Sequence, residues 1–348
     1  MKSFIFISLL LFGFWVTDVF ALDMDLVSQG LDAYARENNL PESDAAVATT
    51  GVDVSGSEQA PDMVVIPYVP QAPALKVVRK QHEFEVGIER YQYKYHEYAE
   101  IGSKFMHMRG AYSGIFMAYA FRPVDIDSMV EQIINLYRVE LRYATGRVNY
   151  TGAQQDSLGN VTGFTYNGVN DFVFEGRGIL GNEYALPQAW TVTPYTGLGY
   201  RLLNDSMQEA GPGGYERESS YWYLPLGATL AKDLPRGWRC EYNAEYDYFI
   251  SGKQVSHLED IDSALDPLGN KQNKGFGWRT SLKVVKSFPR VKWSLEPYYR
   301  FWHIQKSCVE PWTSQGQPIS GSVPDTIIVG WEPDNITQEL GLRLGAQF

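Results

Sequence analysis

Alternation between apolar and polar residues is the dominant pattern of the chain from about residue 82 to its end. The clearest run, Trp238 to Tyr248, has aromatic, alanine and cysteine side chains at every second position, with charged or amide side chains between them. A period of two is typical of a β-strand whose two faces meet different surroundings. The sequence therefore predicts strands with one apolar face and one polar face.

The same alternation recurs in about ten segments, an even number that is typical of single-chain transmembrane barrels. The predicted strands are Glu83 to Tyr95, Arg109 to Phe121, Leu136 to Val148, Asp171 to Gly181, Trp190 to Leu202, Trp222 to Leu230, Trp238 to Tyr248, Phe276 to Val284, Val291 to Phe301 and Glu339 to Phe348. We interpret the fold class as all-β, a transmembrane antiparallel up-and-down β-barrel with an irregular N-terminal extension.

The connections between these strands alternate in length. Ala185 to Gln188, Lys232 to Arg236 and Ser287 to Arg290 are short and carry a proline. The segments between them are long and polar: Thr151 to Asn170, Asn204 to Ser219, Gly252 to Lys274 and Gln305 to Asp334. Short turns at one end and long loops at the other indicate periplasmic turns and extracellular loops.

The first 81 residues differ from the rest. Lys2, the apolar run from Phe4 to Val16 and a small residue at Ala21 are typical of a cleaved signal peptide over residues 1–21. Residues 22–81 contain an acidic linker and closely spaced prolines, which predict a partly disordered periplasmic extension or linker. A plug in the barrel lumen is the alternative. Residues 82–348 form the predicted barrel.

Composition narrows the classes of function. The chain has 23 Tyr, 17 Phe, 9 Trp and 32 Gly, and no long apolar run follows the signal peptide, which argues against a helical membrane protein. The net charge of −11 argues against binding to nucleic acid. The aromatic residues Trp190, Trp238, Trp293 and Phe348 lie at strand ends with lipid-facing parity, so we predict a belt at the membrane interface.

The opposite parity collects a balanced set of acids and bases in the predicted lumen. These residues are Glu85, Glu89, Arg138, Glu140, Arg142, Glu175, Arg177, Arg201, Arg239, Glu241, Glu245, Asp247, Arg279, Lys283, Glu296, Arg300, Glu339 and Arg343. Because narrow barrels are filled by side chains and buried charges must pair, we favour a closed, charge-paired lumen. A narrow ion or solute channel is the alternative.

The predicted loops carry a second cluster, formed by Arg217, Glu218, Lys253 and His257. It favours a polar lid above the lumen and a structural or surface-interaction role for the loops. A membrane-embedded hydrolase, a protease or a lipid deacylase, is the alternative, with His257 activated by a carboxylate and paired with Ser219 or Ser220. The sequence predicts no metal site, no cofactor and no defined set of catalytic residues.

The last strand, which ends Leu344-Gly345-Ala346-Gln347-Phe348, resembles the C-terminal signature of bacterial outer-membrane proteins. This resemblance implies the outer membrane of a Gram-negative bacterium, contact with lipid and lipopolysaccharide, and recognition of the last strand by the barrel-assembly machinery. It leaves the loop partner and the oligomeric state open.

A second resemblance covers roughly residues 82–348. The stretches 199–205, 214–219, 252–258 and 331–335 resemble an uncharacterised family of proteobacterial barrel proteins, which implies the fold but no activity. The predicted barrel has the strand number of omptin proteases. It lacks the Asp-x-His pair of that class, because none of the five histidines follows an aspartate by two positions.

Overall fold

In the computed structural model, ten long strands form the wall of one barrel. The structure describes residues 80–98, 104–123, 133–155, 161–211, 213–321 and 325–348, so the predictions for the signal peptide and most of the extension lie outside the described residues. The barrel strands are β1 (His82–Tyr98), β2 (Lys104–Phe121), β3 (Leu136–Gln155), β4 (Val161–Gly181), β5 (Trp190–Ser206), β6 (Glu216–Leu234), β7 (Trp238–Ser256), β8 (Gly275–Ser287), β9 (Lys292–Ile304) and β10 (Asp334–Gln347).

The barrel is closed by its first and last strands. Every barrel strand pairs antiparallel with the next one along the chain, and β10 then pairs with β1, from Glu85 opposite Gln347 to Tyr98 opposite Asp334. Closure leaves no free sheet edge, which is the condition for a sheet to cross a lipid bilayer. The all-β fold predicted from the alternation is confirmed. No helix among the described residues is long and apolar enough to cross a membrane.

The two faces of the wall follow the predicted parity. In β7, Tyr242 is 47% exposed and Tyr246 is 45% exposed on the outside, whereas Glu245 is 5% exposed and Asp247 is 0% exposed on the inside. The protein therefore has apolar residues outside and charged residues within, the reverse of a water-soluble globule.

Two of the short turns share one design. Pro187–Ala189 and Pro235–Gly237 both follow a leucine and precede a tryptophan that begins a strand. Proline fixes its own φ near −65°, and the next residue, Gln188 or Arg236, has a φ of 61°. We call this end of the barrel the turn end and the opposite end the loop end.

The strands extend further toward the loop end than the sequence predicts. The predicted loop from Thr151 to Asn170 is wrong in its bounds, because β3 continues to Gln155 and pairs there with Val161 of β4. The polar residues of this segment suit a strand that rises beyond the apolar band, where both faces are hydrated.

A β-bulge reverses the parity of β7 near its loop end. Trp222 pairs with Ser251 and Tyr223 pairs with Phe249, which leaves Ile250 as the extra residue. Beyond the bulge the even-numbered Gln254 and Ser256 face inward and are buried. A bulge inserts one residue into one strand, so every later side chain changes face.

The long loops are partly ordered by strand pairing. Leu268–Gln272 continues the sheet by pairing with the end of β7, and the Cys308 amide donates to the carbonyl of Lys271 at 2.8 Å. Both cysteines are free: Cys240 lies in β7 near the turn end, and Cys308 lies in a loop at the loop end.

Candidate functional site

One carboxylate at the centre of the barrel accepts hydrogen bonds from three arginines. Glu339 on β10 accepts hydrogen bonds from Arg142 Nη2 at 2.6 Å, from Arg201 Nη2 at 2.7 Å and from Arg300 Nη1 at 3.4 Å. Arg201 is 0% exposed and Glu339 is 1% exposed. The four side chains come from four strands, so this node ties separate parts of the wall together.

A second node forms around Arg279 on β8. Its guanidinium lies 2.9 Å from Glu175 Oε1, 2.8 Å from Glu245 Oε1 and 2.8 Å from Asp247 Oδ2. The Tyr223 hydroxyl donates to Glu175 Oε1 at 2.5 Å. We call the two nodes and the ion pairs joined to them the charge layer.

Most of the predicted lumen charges meet a partner in this layer or just below it. Lys283 Nζ lies 2.6 Å from Glu85 Oε2, and Arg343 Nε lies 2.9 Å from Glu89 Oε2. Arg239 Nε lies 2.6 Å from Glu241 Oε1. Further pairs in the set are Arg142–Glu89, Arg142–Glu175, Arg138–Glu85, Arg138–Glu140, Arg177–Glu140, Arg177–Glu245 and Arg300–Glu175. Glu296 has no ion pair within 4.0 Å in the part of the chain that the structure describes.

An aromatic core closes the lumen on the loop side of the charge layer. Its members are Tyr91, Tyr93, Tyr112, Tyr221, Tyr223 and Trp302. The Tyr91 and Tyr112 ring centroids lie 5.1 Å apart, as do those of Tyr223 and Trp302. The alternation alone does not predict this core, although Tyr91 and Tyr93 share the inward parity of Glu85 and Glu89.

The loop end of the interior holds a third layer, the outer cluster, which consists of Glu97, Asp205, Arg217 and Glu332. Arg217 Nη1 lies 2.7 Å from Glu97 Oε1, and Arg217 Nη2 lies 2.8 Å from Asp205 Oδ2. The Tyr95 hydroxyl is 3.0 Å from Glu97 Oε1 and 3.1 Å from Glu332 Oε1. Burial and the adjacent Glu97 carboxylate raise the pKa of the loop residue Glu332 well above its ordinary value.

The structure separates Arg217 from the other three residues of the predicted loop cluster. Arg217 lies on β6 and points into the barrel, and no hydrogen bond or ion pair within the described residues joins it to Glu218, Lys253 or His257. Glu218 is half-buried and Lys253 is exposed. Arg217 faces inward because its odd number continues the inward parity of Tyr221 and Tyr223.

His257 pairs with Glu259 instead. Its Nδ1 lies 2.9 Å from Glu259 Oε1. Partial burial lowers the pKa of His257, but the hydrogen bond and negative charge of Glu259 outweigh that effect and raise the pKa above 6.5. The Ser219 hydroxyl donates to Gln254 Oε1 at 2.6 Å, and the Ser220 hydroxyl donates to the Lys253 carbonyl at 3.3 Å. Neither serine hydroxyl is hydrogen-bonded to His257.

A cavity lies at the turn end of the interior, and we call it the vestibule. Its volume is about 300 Å³, and residues next to the turns, such as Gly237 and Ser287, line it together with charged side chains. These charged residues include Glu83, Arg122, Glu183, Asp233, Arg239 and Lys292. In the described ranges no group of three or more histidine, cysteine, aspartate or glutamate residues is arranged to hold a metal ion.

The four predicted interface aromatics lie on the outer side of the turn end. Trp238 is 44% exposed, Trp293 is 48% exposed and Phe348 is 51% exposed, while Trp190 is half-buried. Lys232 Nζ lies 4.4 Å from the centre of the Trp190 ring. Aromatic rings beside ammonium groups suit a headgroup region.

Comparison with solved structures identifies the fold. The outer membrane protease OmpT from Escherichia coli matches with a TM-score of 0.53 at 11% identity, over 77% of this chain and 96% of the protease. The β-domain of the Bordetella autotransporter BrkA matches with a TM-score of 0.30 at 11% identity, over 76% of this chain and 99% of that domain. Neisserial surface protein A matches with a TM-score of 0.22 at 14% identity, over 76% of this chain and 95% of that protein.

No family model matches the chain, and no curated protein matches it. At these identities the likeness to OmpT concerns the fold alone. The protein has the fold of a bacterial outer-membrane β-barrel, closed by ten antiparallel strands.

Proposed function

We propose that this protein is an integral outer-membrane barrel with a closed lumen, which acts as a structural or surface-interaction protein through its loop end. This proposal is supported by the buried side chains that fill the lumen in two successive layers. Arg201 and Glu339 are buried in the charge layer, and Tyr112 and Tyr223, both 0% exposed, are buried in the aromatic core.

A narrow channel would need a continuous file of water between the two ends. The vestibule supplies room at the turn end, the nodes around Glu339 and Arg279 lie beyond it, and the cavity beside those nodes has a volume of only about 20 Å³. A path through them would require paired charges to separate in a low-dielectric interior, which is costly. The charge layer therefore favours a closed barrel over a channel.

A hydrolase needs a nucleophile within reach of its base. The His257–Glu259 pair offers a base, but Ser219 and Ser220 direct their hydroxyls elsewhere. The loop end therefore favours a binding surface over a hydrolytic site.

The signal peptide over residues 1–21 and the periplasmic position of residues 22–81 belong to the same proposal. So does recognition by the barrel-assembly machinery. The latter is supported by Phe348, whose side chain is exposed while its amide donates to the Phe84 carbonyl at 2.8 Å.

Conductance in a planar lipid bilayer tests the closed lumen. We expect the wild-type protein to be silent after insertion, which flotation with lipid vesicles and heat-modifiable gel mobility verify independently. The conductance of the wild-type protein is compared with that of the triple variant Tyr91→Ala/Tyr112→Ala/Tyr223→Ala, which lacks three rings of the aromatic core. Steady conductance of inserted wild-type protein would show that the lumen is open and that the channel alternative is right.

A further inference from the structure

The outer surface of the barrel is not uniform around its circumference. On β7 the outward residues stay apolar or aromatic from Trp238 to Tyr248, with Cys240 and Ala244 among them. On β1 the outward apolar residues are only Phe84, Val86 and Ile88, and the next outward residue is Arg90. A membrane-spanning strand needs about 9–11 residues, so the apolar part of β1 is too short to cross the membrane.

The strand register places basic residues of three adjacent strands side by side above this short band. Lys94 on β1 lies opposite Arg109 on β2, and His96 lies opposite His107. Arg147 on β3 lies opposite Ala111, two residues from Arg109. We call the following set the basic patch: Arg90, Lys94, His96, His107, Arg109 and Arg147.

The basic patch contains no acid. The other outward residues of β1–β3 in these rows are Gln92, Ala111, Ser113, Thr145, Asn149 and Thr151. In the described part of the chain no carboxylate lies within 4.0 Å of the guanidinium of Arg90, Arg109 or Arg147, and all three side chains are exposed. The contact that Arg90 does make is a hydrogen bond from Nη1 to Ser113 Oγ at 3.1 Å.

These outward arginines differ from the arginines inside the barrel, which are matched with carboxylates. Arg142, for comparison, contacts Glu89, Glu175 and Glu339. An outward charge without a partner is costly in the hydrocarbon and needs an anion at the membrane interface. Within the described residues the chain supplies no such anion to Arg90, Arg109 or Arg147, and the membrane is a source of one.

The height of the patch indicates which anions are available. Ten residues separate Phe84 from Lys94, about 33 Å along the strand and about 25 Å across the membrane at the usual tilt. That distance equals the height of the apolar band in outer-membrane barrels, about 25 Å. Since Phe84 lies at the turn end, Lys94 and Arg109 lie at the headgroup level of the opposite leaflet, with Arg90 below them.

We propose that the basic patch binds the phosphate groups of a bis-phosphorylated lipid A, the anchor of lipopolysaccharide, in the leaflet at the loop end. Arginine donates paired N–H groups to phosphate oxygens, and basic residues near a membrane surface attract anionic lipid. The acyl chains then cover Ile88, Ile115 and Tyr143, which share one cross-strand row directly below the patch. This inference rests on the proposed function, because it requires the loop end to face the outer leaflet.

Binding of lipid A to purified protein in detergent tests the proposal. The test variant is Arg109→Gln/Arg147→Gln. The control variant, Arg236→Gln/Arg290→Gln, removes two exposed arginines at the turn end. Affinities for bis-phosphorylated and dephosphorylated lipid A are measured by native mass spectrometry and by the shift in melting temperature. We expect the test variant to bind the phosphorylated form about 25-fold more weakly, roughly fivefold for each basic residue, and the control to bind like wild type.

Three outcomes would overturn the proposal. The first is equal affinity of the test variant and wild type. The second is equal affinity of wild type for the two forms of lipid A, which would show that the phosphates are not recognised, or competition by inorganic phosphate at millimolar concentration, which would show that the lipid is not required. The third is a change from oligomer to monomer in the test variant with unchanged lipid binding, which would assign the patch to a second copy of the chain.

Heat-modifiable mobility and bilayer conductance are measured on the same variants. Mobility reports whether the barrel is folded and inserted, and conductance reports whether its lumen is closed. Neither measurement depends on binding of lipid A to the arginines. A failure of lipid A binding is therefore distinguishable from a failure of the proposed function.

Discussion

The charge layer and the vestibule contain the same kinds of side chain in different surroundings. In the charge layer, Arg201 and Glu339 are 0% and 1% exposed and meet at 2.7 Å. In the vestibule, Lys292 and Glu83 meet at 2.8 Å, but their side chains are 31% and 20% exposed. Inward parity alone therefore does not make a charge structural. What decides its effect on stability is whether side chains or water fill the space around it.

Removal of the Glu339 charge should have the largest effect. The variant Glu339→Gln leaves Arg142, Arg201 and Arg300 without their shared carboxylate. Because breaking a buried ion pair leaves an uncompensated charge, we expect a loss of about 3–5 kcal/mol in the free energy of unfolding. Urea unfolding in lipid vesicles, followed by tryptophan fluorescence, measures the change.

The matched control is Glu296→Gln, which removes a half-buried inward carboxylate that has no ion pair within 4.0 Å among the described residues. We expect a loss below about 1 kcal/mol for this control. Equal losses for the two variants would contradict the structural role of the Glu339 node.

An added methyl group beside Tyr223 should have an intermediate effect. The Cβ of Gly199→Ala would lie 2.1 Å from Tyr223 Cζ, so the ring must move away from its hydrogen bond to Glu175. Overpacking of this kind costs about 1–3 kcal/mol. Thermal unfolding of the detergent-solubilised barrel measures the loss.

Gly178→Ala is the control for the same chemical change, because no atom lies within 4 Å of its added Cβ. We expect its stability to stay within about 0.5 kcal/mol of wild type. If Gly199→Ala were equally neutral, Tyr223 would not be held in place as the seal between the charge layer and the aromatic core.

The smallest effect is expected in the vestibule. Lys292→Gln removes the partner of Glu83, and partly hydrated ion pairs contribute only about 0–1 kcal/mol. Salt screens such pairs, so the difference from wild type should disappear at about 1 M salt. A Lys292→Gln loss as large as that of Glu339→Gln, measured in the same urea titration, would show that the vestibule is not hydrated.

Much of the wall could be predicted from the sequence, because residues at every second position of a strand lie on the same face. The apolar set therefore identifies the residues that face lipid. The inward positions of Glu89, Arg201 and Glu339 follow from parity, and so do the outward positions of Trp238 and Trp293. The strand ends toward the loops could not be predicted. A strand that rises above the membrane is hydrated on both faces, so the alternation that marks it is lost, as between Thr151 and Thr165.

The bulge at Ile250 is a second feature that could not be predicted from the sequence. One inserted residue changes the face of Gln254 without any change in composition, and only strand pairing reveals it. Arg217 shows the reverse case, because its parity with Tyr221 was readable but the polar residues around it favoured a loop.

The sequence by itself determined the strand number, the inside-out polarity and the closing aromatic at Phe348, since these depend on local periodicity. Only the tertiary structure decided which charges meet. Glu339 binds three arginines from three other strands, and their sequence separations of 39 to 197 residues carry no information about the pairing. Barrel closure and register bring them within hydrogen-bonding distance. The same register aligns Lys94 with Arg109 on the outer face, although fourteen residues separate them along the chain.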